Sequence, residues 1–138
     1  MLFLITSMLF QNPRVTIVMP VYNKERYLQK AFHSAITQSY DNFEILLIND
    51  GSSDGSHLLI QPFLRFENVR YVNLYRNRGT LYVRALGISM SSALVMFLDA
   101  DDELSPGILQ LSVSKMLESS TDIVYFNMGL RRHGSSGL

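Results

Sequence analysis

The sequence predicts a doubly wound α/β fold, a mostly parallel sheet with helices on both faces. Two observations carry that prediction. Short apolar, β-rich runs alternate with stretches whose apolar residues recur at helical spacing, four times over, with one more apolar run at the end. Each of the first four runs also closes on a cluster of polar residues, at the strand ends where such sheets bind ligands.

The first run, residues 15–19, is stopped by Pro20; the second, 43–48, is stopped by Asn49-Asp50-Gly51. Between them Tyr27, Leu28, Ala31, Phe32, Ala35 and Ile36 share one helical face. Further strands are expected at 69–74, 93–98 and 123–127, and further helices at 56–64, 80–90 and 106–119. Pro62 should shorten or kink the second helix, and Ser105-Pro106 reads as the cap and first turn of the last.

The chain of 138 residues suits one domain with a real core. Its 47% hydrophobic and 17% charged content excludes a disordered chain. Lys+Arg and Asp+Glu are balanced at 12 each, so no general attraction to nucleic acid is expected. With no cysteine, disulfides, thiolate metal sites and cysteine nucleophiles are excluded. Residues 1–14 open on MLFLITSMLF, too short to span a bilayer, which takes about 20 residues, and without the marks of a secretory signal. They form either an extra packed or membrane-surface segment or a start-site artefact. Residues 129–138 have the composition of a flexible tail.

The polar clusters differ in what they imply. In FLDADDEL, Asp99, Asp101, Asp102 and Glu103 follow an apolar strand. Two carboxylates about 4 Å apart repel by roughly 4 kcal/mol at an effective dielectric of about 20, so such a group invites a hard cation such as Mg2+ or Mn2+. The plain alternative is a solvated acidic loop with Asp102 or Glu103 at the positive end of a helix. An EF-hand loop starting at Asp99 is excluded, because its sixth and twelfth positions are Leu104 and Gln110. A haloacid-dehalogenase phosphatase is excluded because its Asp-x-Asp stands near the start of the fold, with Gly and Thr or Val close behind. INDGSSDGS is a set of turn formers and not a phosphate loop. Arg76, Arg78 and Arg84 are candidates for holding a diphosphate or plain surface charges. His33, His57 and His133 show no metal-ligand grouping.

Taken in order, VTIVMPVYNKERYL, EILLINDGSSDGS, NRGTLYVRALG and FLDADD resemble the amino-terminal, nucleotide-sugar-binding half of a family-two glycosyltransferase with the GT-A fold. The resemblance covers residues 15–128. It implies inverting transfer of a sugar from a nucleoside-diphosphate sugar, most often a UDP-sugar, to a saccharide or lipid-linked acceptor. By position, Pro20, Val21 and Tyr22 would line the base and ribose pocket with Glu25 nearby, and Asp50 would bond the base. Asp99 and Ala100 would sit at the ribose, Asp99 also facing the hydrated metal. Asp101 would ligate Mn2+ or Mg2+ directly, and Arg84 matches the family's arginine after Asn-x-Gly. The resemblance further implies a cytoplasmic protein with peripheral contact at the inner face of the membrane.

Three positions depart from the family pattern: Ala85 replaces an asparagine, Ser92 a glycine, and Pro62 stands within a helix. The family's general base lies well downstream of the Asp-x-Asp motif, so it is expected beyond residue 138, the sheet to be incomplete at its C-terminus and the chain alone to be inactive. The competing expectations are a non-catalytic nucleotide-sugar-binding module and a degenerate structural α/β domain.

Overall fold

In the computed structural model, which describes residues 12–125 and 129, a four-stranded parallel sheet has the order β3-β2-β1-β4. The chain runs β1 (Val15–Val21), α1 (Leu28–Ile36), β2 (Phe43–Asp50) and α2 (Ser56–Ile60). A 3-10 turn (Gln61–Arg65) leads to β3 (Val69–Leu74), followed by α3 (Thr80–Ser89), β4 (Leu94–Phe97) and α4 (Ile108–Ser119). Strand order reverses at β1, which pairs with β2 on one side and β4 on the other.

Period-two alternation in β1 and β2 divides the core. Val15, Ile17, Met19 and Val21, with Ile45 and Leu47, pack beneath Leu28, Ala31, Phe32 and Ala35 of α1 and Leu109 and Val113 of α4. Val18, Leu46 and Ile48 face the other way, under Val83 and Leu86 of α3. Helices therefore cover both faces, and both central strands are buried almost throughout. Gly87 lets α3 lie close on β1, since a Cβ there would run into Val18 Cγ1.

Four sequence expectations change. Pro20 does not stop β1, which continues to Val21. Val18 O accepts from Leu98 N on the β4 side, and two residues on, Pro20 turns the same way. The β4 ladder ends at the Val18–Phe97 pair, so the missing N–H of Pro20 costs no ladder bond. The last helix starts at Ile108, and its N-cap is Gly107 in the left-handed region (φ 76) rather than Ser105, whose carbonyl accepts from Ile108 N. No acid stands in that helix's first turn, so the reading of Asp102 or Glu103 as dipole partners does not apply. The fifth strand is not formed over residues 123–125, where Ile123 and Tyr125 are exposed, and 126–127 lie outside the described residues. β-branched composition supplies a preference, but a strand is held by ladder partners and burial.

Pro62 acts as expected: α2 gives way at Ile60 to the 3-10 turn that carries it. Of the terminal segments, residues 1–11 and nearly all of 129–138 lie outside the described residues. Among the described residues no helix is long and apolar enough to cross a membrane.

Candidate functional site

The carboxyl ends of β1, β2 and β4 meet at one rim, and two loops there are locked together. Asn23, in the left-handed region (φ 52), turns the chain after β1. Its Oδ1 accepts from the amides of Ser53 and Asp54, while its own amide donates to Ser52 Oγ. Lys24 N donates to Ser56 Oγ, and Glu25 N to Asp54 Oδ2. Glu25 Oε2 accepts from Gly55 N at 2.7 Å. Burial pushes the Asp54 carboxyl up, but its bonds from Ser56 and Glu25 outweigh that and hold it below the usual carboxylate range. The turn-forming stretch after β2 is thus the other half of a clamp on the loop after β1.

Asp50, buried at the end of β2, accepts from the amides of Arg78 and Gly79 at 2.7 and 3.0 Å. Those amides precede α3, so Asp50 fixes where that helix begins. Gly51 permits the contact: it has φ 68, and a Cβ would lie 2.6 Å from the backbone of Arg76 and Asn77. α3 in turn presents Arg84, whose Nη2 donates to Asp99 Oδ1 at 2.7 Å and whose guanidinium lies 5.0 Å from the Phe97 ring centroid.

Across the switch point, Lys24 Nζ is 2.6 Å from Asp101 Oδ2. The bond to Asp101, with the charges of Asp101 and Asp99, raises the lysine's pKa. Burial, then the charges of Asp101 and Asp99, pushes the Asp102 carboxyl up. The acids that follow β4 therefore generate a local negative field, and the chain answers it with two of its own cations.

The expected site residues separate into three groups. Tyr22, Asp99 and Asp101 reach the rim, together with Arg84, and Pro20 is half-buried beneath it. Val21 and Ala100 are in the core, so their side chains support the rim from below and do not line it. Glu25 and Asp50 spend carboxylate oxygens on backbone amides of neighbouring loops. Sequence reasoning gave no role to Lys24, Asn23 or Ser56, although all three stand in stretches that it singled out.

Among the described residues no three acidic or histidine side chains form a ready-made metal cage. Two hard carboxylates, Asp99 and Asp101, nonetheless suit Mg2+ or Mn2+, which commonly bind through one or two carboxylates plus substrate phosphates. The donor set fits such an ion.

A parallel sheet with its strand order reversed at β1, and with acids, cations and an exposed tyrosine gathered over that point, defines an open α/β protein whose polar rim lies where such sheets bind ligands. The family described as glycosyl transferase family 2 matches residues 16–136. The glycosyltransferase GlyA of Streptococcus pneumoniae is 35% identical over 118 residues, which are 84% of this chain and 17% of GlyA. TarS of S. aureus, solved in complex with UDP, superposes with a TM-score of 0.72 at 22% identity, over 79% of this chain and 33% of that one. The mannosyltransferase PcManGT of Pyrobaculum calidifontis, solved with GDP-Man and Mn2+, superposes with a TM-score of 0.69 at 20% identity, over 76% of this chain and 32% of that one. The chain belongs to glycosyl transferase family 2 and has the GT-A fold. It spans well under half the length of these three proteins.

Proposed function

We propose that the rim binds a nucleoside-diphosphate sugar, with uridine as the nucleoside, around a Mn2+ or Mg2+ ion carried by Asp101 and Asp99. The observation that carries this reading is the convergence of Asp99, Asp101, Arg84 and Lys24 over the β1/β4 switch point. TarS, solved with UDP and with UDP-GlcNAc, and PcManGT, solved with GDP-Man and Mn2+, support it by their shared fold.

In this reading Tyr22, 46% exposed beside the end of β1, offers its ring to the base. Asp50 holds the edge of the nucleoside pocket in shape and keeps its remaining lone pairs for the base. Asp101 and Asp99 provide the hard oxygen ligands. Arg84 places a guanidinium next to them, suited to a phosphate as well as to a carboxylate. A divalent ion bound there supplies Lewis-acid and electrostatic stabilisation of the leaving diphosphate.

Inverting transfer to a saccharide or lipid-linked acceptor hydroxyl is the activity that this donor site would serve. It needs a general base, typically contributing about 10² to 10⁴ in rate, and no described residue is assigned that part. The 138-residue chain alone is expected to bind donor and hydrolyse it slowly, without useful transfer.

Calorimetric titration of the chain with UDP, GDP and ADP in manganese tests the reading. UDP is expected to bind most tightly. Tighter binding of GDP or ADP contradicts uridine as the nucleoside, and no binding of any of the three contradicts a nucleotide site.

A further inference from the structure

The proposed donor chemistry gives the ammonium of Lys24 no contact of its own. Its Nζ lies 2.6 Å from Asp101 Oδ2, in a pair whose side chains are 34% and 41% exposed. Asp99, two residues earlier, faces Arg84 in the same way. Each carboxylate assigned to a divalent ion therefore already has a cation of its own chain.

The two halves of Lys24 are held very differently. Its backbone is pinned, with the amide on Ser56 Oγ and Asn23 clamped just before it. Its ammonium stands on a flexible four-carbon stem with solvent access, so it can leave Asp101 without moving the loop. A divalent ion on the same carboxylate would bring two like charges close together, and the attraction that holds Lys24 would become repulsion.

We propose that Lys24 is the internal counter-ion of the metal-binding carboxylate: it neutralises Asp101 in the metal-free chain, competes with the divalent ion for it and thereby lowers metal affinity. The inference rests on the reading of Asp101 as a metal ligand.

The test is manganese alone, titrated into the 138-residue chain without nucleotide, with free manganese counted by electron paramagnetic resonance. Lys24→Met should tighten manganese binding about fivefold, the scale of a partly exposed ion pair. Lys24→Arg keeps the charge and should stay within about twofold of the unaltered chain. On an Asp101→Asn background, Lys24→Met should make no difference. Manganese binding that Lys24→Met leaves unchanged or weakens overturns the inference alone. Failure of the unaltered chain and every variant to bind manganese, with circular dichroism showing all of them folded, removes the metal reading and the inference with it.

Discussion

Arg84 Nη2 donates to Asp99 Oδ1 at 2.7 Å, tying a helix on one face of the sheet to the end of β4. The side chains are 36% and 47% exposed, so the pair contributes less than about 1 kcal/mol to stability. Arg84→Ala should therefore shift the urea midpoint only slightly, while weakening UDP binding in manganese by about tenfold, or about 1.4 kcal/mol. Lost stability with unchanged affinity would make Arg84 a structural tie.

Asp50 is the opposite case, a buried carboxylate with two amide donors. Asp50→Ala leaves the Arg78 and Gly79 amides without it and should cost roughly 2–4 kcal/mol, since hydrogen bonds to charged groups are the stronger kind. UDP affinity should fall by the same factor in manganese and in chelator. Thermal unfolding and calorimetry on one preparation check both, and an unchanged melting temperature would show that the α3 start is fixed elsewhere.

Much of this was legible in the sequence, for identifiable reasons. The apolar runs and the helical face of α1 were readable because periodicity records which side is buried. Asp99 and Asp101 could be placed at the rim because they directly follow an apolar strand, and the family resemblance singled them out together with Arg84. The partners were not. Lys24 and Asp101 are 77 residues apart, and only the parallel pairing of β1 with β4 brings them together. The family resemblance places Glu25 near the base pocket, and its carboxylate meets Gly55 in a loop clamp that no local pattern announces. Ser92, which looked like a departure from the family pattern, joins the Thr16 and Glu44 side chains at the far end of the sheet.

Glu44 lies at that end, against Thr16, Arg14 and Arg70. Burial pushes its carboxyl up, but the Thr16 hydroxyl and the two arginines outweigh this, and its pKa falls below the ordinary 4.5. A lowered folded-state pKa means that the stability from Glu44 is fully present above the unfolded-state value and is lost as pH falls through the folded one. Glu44→Gln should be less stable near neutrality by about 1–3 kcal/mol, and its unfolding free energy should change less than the parent's below pH 4.5. Parallel curves for the two proteins would remove Glu44 from the acid response.

Alanine is normally worth about 1 kcal/mol more than glycine inside a helix. At Gly87 the sign should reverse, because the new methyl meets the stiff, buried side chain of Val18. Gly87→Ala should destabilise by about 1–3 kcal/mol, the usual range for overpacking. Urea unfolding followed by circular dichroism decides the sign, and a stabilised variant would mean that α3 shifts away from β1 at little cost.

The most direct test of the donor site is the affinity of the chain for UDP with manganese and with chelator. The account predicts at least tenfold tighter binding with manganese, about 1.4 kcal/mol or more, and an Asp101→Asn chain that stays folded but loses this increment. Equal affinity in manganese and chelator, or an increment that survives Asp101→Asn, would contradict it.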